Sequence, residues 1–155
     1  MYASHFAINP IKQNIAEKLQ LKFIQEHLSP EYKKLPSKGK DSIYFINGKL
    51  VHKKEENQKV KSADFYNSQL DTYVFAKYTH EEGGSQDNQY SDVVMFIEGV
   101  DKYLECYPCK TQFLILTDGE YYTLERIQSL SSVVKHKENI HVTNCDAILK
   151  NEFHH

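Results

Sequence analysis

The chain has 155 residues, 40% of them apolar and 26% charged, with a formal net charge of −2. That length suits one domain able to bury roughly two thirds of the surface its unfolded chain would expose, and the composition excludes a fibrous or disordered protein. No apolar run approaches a membrane span, and the opening MYASHFAINP lacks the charged start and apolar core of a secretory signal, so a cytoplasmic protein with no membrane partner is expected.

Asn9-Pro10 reads as a helix start, with Asn9 as the cap and Pro10 at the first helical position. Ile11, Ile15, Leu19 and Phe23 recur every four residues, widened by Leu21, Ile24 and Leu28. The helix is predicted to run to about Leu28 and to stop at Ser29-Pro30. Glu17 on it reads as a surface glutamate. Residues 31–42 read as a polar, lysine-rich connection. Residues 42–52, SIYFINGKLVH, are two short apolar strands about Asn47-Gly48. Both turn residues accept the positive φ that a type I′ hairpin needs. Residues 53–60, KKEENQKV, form a charged loop.

A strand is predicted over 61–66, a tight turn over 67–71, and a second strand over 72–79, TYVFAKYT. Alternation puts Tyr73, Phe75, Lys77 and Thr79 on one face and Val74, Ala76 and Tyr78 on the other. A loop with Gly83-Gly84 leads to Ser85, which caps a helix over 86–105. Its apolar stripe is Val93, Val94, Phe96, Ile97, Val100 and Leu104, and Gly99 within it permits close packing. Residues 110–117, KTQFLILT, are a continuous apolar run, as in a strand buried on both faces, ended by Asp118-Gly119. A helix over 122–134, a short parallel strand over 140–143 and a terminal helix over 144–153 complete the chain.

That order is helix, three consecutive strands, helix, strand, helix, strand. It predicts a meander extended by parallel strands through right-handed crossovers. The fold class expected is α/β, a mixed central β-sheet flanked by helices, in a single domain over 1–153. His154-His155 are either the remnant of a purification tag or simply the natural end, and are set aside.

Cys106, Cys109 and Cys145 are expected to be reduced thiols. Cys106-Tyr107-Pro108-Cys109 has C-x-x-C spacing, but zinc wants four ligands and a second pair is missing. Thioredoxin-like chemistry wants the motif opening a helix after a strand, whereas here it follows one. Two packed cysteines near a proline turn are the expectation. The eight histidines are scattered without ligand spacing, and no phosphate loop, dinucleotide fingerprint or nucleophile elbow is present.

Charge is unevenly spread. Residues 33–61 carry nine lysines against Asp41, Glu55 and Glu56, a balance of +6, while residues 62–155 sum to −8. A basic hairpin limb over 33–61 on an acidic body suits a polyanion held beside a metal-binding site.

Phosphodiester cleavage needs a carboxylate to hold a metal ion and a cation near the attacking water. Asp64 and Lys77 lie on strands joined by a tight turn, so they can converge. Asp64 would bind Mg²⁺, an oxygen-seeking ion, the Ala76 carbonyl would be another ligand, and Lys77 would orient the water and stabilise the phosphate.

The element order with these residues resembles the PD-(D/E)xK nucleases, including type II restriction endonucleases. Lys61 to Phe65, KSADF, stands where that family has its first acidic motif, and Phe75-Ala76-Lys77 where it has E-x-K. Gln86-Asp87-Asn88-Gln89-Tyr90 supplies a Q-x-x-x-Y helix motif, and GGSQDNQYSDVVMFIE and ILTDGEYY are similar to restriction-enzyme segments. The resemblance implies a restriction-endonuclease-like core and a Mg²⁺-dependent, sequence-specific endonuclease of double-stranded DNA acting as a homodimer. It implies catalytic roles for Asp64, Lys77 and Gln86, and in many nucleases of that family the first helix brings an acid near the metal, although a surface glutamate is the safer reading of Glu17. Phosphate contacts would come from Lys38, Lys40, Lys49, Lys53, Lys54 and Lys61, and base contacts from Gln86, Asn88 and Gln89.

One departure stands out. The family's second carboxylate falls at Phe75, or at Ala76 if the register slips. The acid has moved to Glu81, Glu82 or Asp87, or Gln86 replaces it as a neutral ligand, or an original acid has been lost. The last case gives an alternative function, a catalytically inactive nucleic-acid-binding module on a degenerate nuclease fold.

Overall fold

The computed structural model describes residues 13–80 and 86–150. The predicted Asn9-Pro10 helix start, the Ser85 cap, Glu81 and Glu82 lie outside the described residues. In chain order the elements are α1 (Gln13–His27), β1 (Tyr32–Lys34), β2 (Tyr44–Ile46), β3 (Lys49–Val51), β4 (Phe65–Asn67), β5 (Thr72–Tyr78), α2 (Gln86–Cys106), β6 (Gln112–Asp118), α3 (Leu124–Val133), β7 (Ile140–Thr143) and α4 (Cys145–Leu149). The fold is α/β: a mixed five-stranded central sheet, ordered β1-β4-β5-β6-β7, flanked by helices. β1, β4 and β5 are antiparallel, whereas β5, β6 and β7 run parallel.

The expected meander is replaced by another arrangement. β2 and β3 form a separate two-stranded sheet, and the place beside β4 is taken by β1, within the segment read as a polar connection. Only Tyr32 of β1 is buried, while Lys33 and Lys34 face solvent. One inward residue in a lysine-rich edge strand gives too weak a period-2 signal to stand out. The β2–β3 turn is as expected, with φ of 54° at Asn47 and 78° at Gly48.

α1 also sits in a different rotation from the one its fourfold spacing suggests. Ala16, Gln20, Phe23 and Ile24 face the sheet, whereas Ile15 is 47% and Leu19 37% exposed. A strict i, i+4 row turns by about 40° at each step on a helix of 3.6 residues per turn, so this row reaches the buried face only at Phe23. α3 starts at Leu124, two residues later than expected, because Thr123 accepts the Arg126 N–H as its N-cap. The preceding Tyr121 and Tyr122 are core residues.

The sheet divides two apolar clusters. Phe75, with Tyr73 beside it, packs with Phe96, Val100 and Phe113 under α2. Val74, Ala76 and Tyr78 pack with Phe23, Ile24 and Leu116 under α1. The alternation read from β5 is therefore the alternation observed. Gly99 permits a close approach, but to the β2–β3 hairpin rather than the central sheet: a Cβ there would lie 2.4 Å from the Phe45 carbonyl oxygen. Cys106 and Cys109 are exposed rather than packed, since α2 ends at Cys106 and the chain then runs over the surface; Cys145 is the buried thiol.

Candidate active site

β5 has seven residues but β4 only three, paired through Phe65↔Val74 to Asn67↔Thr72. Beyond that register the edge of β5 outruns its neighbour. Asp64 stands at the step. Its N–H donates to the Val74 carbonyl at 2.8 Å, although Phe65 is also opposite Val74. Two residues of one strand facing one of the other is the arrangement of a β-bulge, which re-aims a side chain. It accounts for Ala63 and Phe65 packing into different clusters, on opposite faces of the sheet.

The bulge turns the Asp64 carboxylate onto the uncovered edge of β5, where Oδ2 accepts the Ala76 N–H at 2.7 Å. A strand residue's N–H and C=O point to the same side, so the Ala76 carbonyl is turned toward Asp64 as well. Neighbouring segments hold this corner. Leu35 N–H donates to the Asp64 carbonyl, and Ala63 N–H to that of Ile43, stitching the basic limb to the site.

A cleft of about 310 Å³ opens there, lined by Asp64, Phe75, Ala76 and Lys77, with Glu17 from α1 and Asp92 from α2. Lys38, Lys54 and Lys61 line its outer wall. Asp64 and Lys77, brought together in sequence only by inference, thus share one cleft. The Lys77 ammonium lies 3.7 Å from Asp92 Oδ2, with side-chain exposures of 16% and 18%, and 5.6 Å from the centre of the Phe75 ring. Burial, reinforced by the nearby Glu17 charge, lifts the Asp64 carboxyl to about 7, against the pull of the Ala76 N–H, Lys77 and Lys34.

Two acids in the cleft were not among the sequence candidates for the site. Glu17, read as a surface residue, is drawn inward by the rotation of α1 and pairs with Lys34. Asp92 went unnoticed, although it interrupts the sheet-facing line of α2 as the residue four before Phe96. A charge on that line is the signal that could have found it. Phe75, the place where an acid was sought, is 2% exposed and stacked on Phe96 with ring centres 4.3 Å apart. It belongs to the core. Asp87 faces Tyr121, whose hydroxyl lies 3.5 Å from its Oδ1, and does not line the cleft.

The remaining site candidates are dispersed. Gln86 is the first residue of α2. Gln89 Oε1 accepts from Thr79 Oγ1 at 2.5 Å, while Asn88 is exposed. Lys40 and Lys53 are exposed and outside the cleft lining. Lys49 follows the hairpin tip, where Gly48 rests against Cys106. Cys106 is at the far end of α2, about 20 Å along the helix from Asp92.

Among the described residues no three His, Cys, Asp or Glu side chains gather tightly enough to hold a metal ion on their own. Mg²⁺ does not need such a cage, because it keeps several waters and takes one or two carboxylates with substrate phosphate oxygens. A carboxylate and a carbonyl turned to one spot, both hard oxygen donors, fit that demand. No family model matches the chain, and no curated protein or solved structure matches it either. No helix among the described residues is long and apolar enough to cross a membrane.

Proposed function

We propose that this protein is a Mg²⁺-dependent, sequence-specific endonuclease of double-stranded DNA, of the restriction type, acting as a homodimer in the cytoplasm. The observation that carries the reading is the shared cleft, which the bulged Asp64 at the edge of β5 and the half-buried Lys77 both line. Asp64 and the Ala76 carbonyl would hold the ion, with Glu17 or Asp92 standing in for the carboxylate missing from β5. Bound Mg²⁺ would supply charge neutralisation at the scissile phosphate and a more acidic water. Lys77, steadied by Asp92, orients the attacking water and faces the phosphate. Lys38, Lys54 and Lys61 neutralise flanking phosphates. Asn88, beside Gln86 and Gln89 at the start of α2, offers an amide suited to an adenine edge. A homodimer follows from palindromic cutting, which takes two sites related by a twofold axis.

Duplex plasmid or phage DNA incubated with Mg²⁺ should give discrete fragments. A smear would argue for a nuclease without sequence preference. DNA left intact with both Mg²⁺ and Mn²⁺ would reject the catalytic claim.

One observation favours a second reading, a catalytically inactive DNA-binding module on the same fold. Phe75, the place where an acid was sought, is a core residue stacked on Phe96. That protein would bind duplex DNA in a salt-dependent way indifferent to chelators. A rise in melting temperature on adding Mg²⁺ would count against it.

A further inference from the structure

α1 gives the cleft Glu17. Three residues later on the same helical face it gives the sheet Gln20. Gln20 is fully buried. Its amide nitrogen uses both hydrogens: one bonds the Lys77 carbonyl at 3.2 Å, the other Asp118 Oδ2 at 2.8 Å. Lys77 and Asp118 lie near the ends of neighbouring parallel strands, in register as Lys77↔Thr117 and Tyr78↔Asp118. A single side chain thus ties the end of β5, the end of β6 and the helix bearing Glu17.

Asp118 anchors that tie from the other side. It is fully buried, and its oxygens accept the Cys145 N–H at 2.9 Å and the Cys145 thiol at 3.3 Å. Burial and the neighbouring carboxylate push the Cys145 thiol pKa upward, so it stays protonated and donates. A carboxylate buried in this way is held by directed donors, each with a fixed geometry. The network restrains the main chain of the residue whose ammonium faces Asp92, with Gln20 Oε1 left without a hydrogen-bond partner among the described residues.

We propose that Gln20 is a positioning residue for Lys77: its amide clamps the Lys77 carbonyl to the buried Asp118 and so fixes where the ammonium meets the cleft. This rests on Lys77 serving the phosphodiester site described above. Loss of the amide removes the side-chain tie on the Lys77 carbonyl, leaving the β5–β6 ladder as its restraint, without removing any group that lines the cleft. A positional error of this kind lowers turnover far more than substrate binding.

The test uses Gln20→Met, which keeps length and apolar bulk but removes the donor. Leu130→Val, in the other apolar cluster, controls for lost stability alone. On cleavable duplex DNA, Gln20→Met should lower kcat by about 10- to 100-fold with KM nearly unchanged, and Leu130→Val should lower neither. Gln20→Glu alone should be as impaired. Adding Asp118→Asn should not recover the loss, because the bond between positions 20 and 118 is then restored in the reverse direction while the Lys77 carbonyl still lacks a donor; recovery would overturn the role of that carbonyl. A second readout does not need catalysis. Acylation of Lys77 by an amine-reactive ester, followed by mass spectrometry on the metal-free protein, should be about threefold or more faster in Gln20→Met than in wild type, with Lys110 as the unaffected reference. An unchanged Lys77 rate overturns the positioning role whatever the cleavage result. Wild-type protein that cuts no DNA overturns the nuclease reading instead, and the labelling rate then decides the positioning role alone.

Discussion

The Asp64 carboxylate accepts the Ala76 amide hydrogen at 2.7 Å, where a longer β4 would have placed a backbone carbonyl. One side chain therefore closes the sheet ladder and presents a charge to the cleft. The two duties conflict energetically. In the metal-free protein burial and Glu17 lift the carboxyl from its ordinary 3.8 to about 7. Between those values the folded state holds a proton that the unfolded state has lost. Stability therefore falls as pH rises from about 4 to about 7, and it levels off above. Asp64→Asn keeps an acceptor for Ala76 but cannot ionise. With chelator present the variant should be more stable than wild type by about 2 kcal/mol at pH 8, a rise in Tm of several degrees, and the gap should shrink toward pH 5. Thermal melts at the two pH values check this; equal gaps at both would refute the account. Nuclease activity should be lost, and with it any Mg²⁺-induced rise in Tm.

A second prediction concerns the missing acid. Phe75 is stacked on Phe96 in the core, so Phe75→Glu should not restore a metal ligand. It should remove the stacked ring and bury an unpaired charge, costing about 3–5 kcal/mol or more. That approaches the whole stability of a typical domain. Urea denaturation should show a protein largely unfolded at low denaturant. A folded, more active Phe75→Glu variant would return the second carboxylate to β5.

The acids already in the cleft make a third prediction. If Glu17 or Asp92 supplies the second carboxylate, Glu17→Gln or Asp92→Asn should weaken Mg²⁺ binding by about 10-fold or more, comparable with the loss of a group that orients or supports a metal ligand. Asp92→Asn carries a further signature. It removes the partner 3.7 Å from the Lys77 ammonium, so acylation of Lys77 by an amine-reactive ester should speed up. Calorimetric titration with Mg²⁺ and the rate of Lys77 acylation separate the two roles. Unchanged Mg²⁺ affinity in both variants would leave Asp64 as the one acid that matters.

The sequence made β5, β6 and α2 readable because each has a strong period of its own, and Asp64 and Lys77 were legible as polar residues at the ends of apolar strands. Three features were not. β1 has one inward residue, Tyr32, in a run of lysines, so no alternation reveals it. The rotation of α1 depends on Gln20, a polar residue that hydropathy counts as outward and that two buried acceptors draw inward. Glu17, three residues before Gln20, is carried into the cleft by the same rotation. The bulge at Asp64 is set by a three-residue strand beside a seven-residue one, a mismatch that only pairing exposes. The site was therefore visible as residue types, while its acid pair came from tertiary packing.

The basic limb divides into near and far lysines, which gives a fourth prediction. Lys38, Lys54 and Lys61 line the cleft, whereas Lys49 sits beyond the hairpin tip. Replacing the three near lysines by alanine should weaken duplex binding uniformly across sequences. It should also reduce the slope of log affinity against log salt by about 2 to 3. Lys49→Ala should change the slope by less than the loss of one near lysine. Fluorescence anisotropy over a salt series, with Ca²⁺ in place of Mg²⁺ to prevent cutting, measures both. Equal effects from Lys49 and Lys54 would place the DNA across the hairpin tip instead of the cleft.

The hairpin itself is held by a backbone contact, which yields the last prediction. Gly99 faces the Phe45 carbonyl oxygen, and an added Cβ would lie 2.4 Å from it. That oxygen belongs to the main chain of β2, so a rotamer change cannot relieve the overlap. Alanine is the better helix former by about 1 kcal/mol in an open helix. Here the overlap should outweigh that gain and leave Gly99→Ala destabilised by about 1–3 kcal/mol. The displacement should travel along the limb, because Phe45 lies between Tyr44, which lines the cleft, and the tip. Tyr44 is tied to the Ser37 carbonyl at 3.0 Å, next to Lys38. DNA affinity should therefore fall together with stability, a coupling that a simple core defect under α3 would not produce. Leu130→Ala, matched in melting temperature, supplies that comparison; equal DNA binding by the two variants would show that the hairpin's seating has no bearing on the cleft.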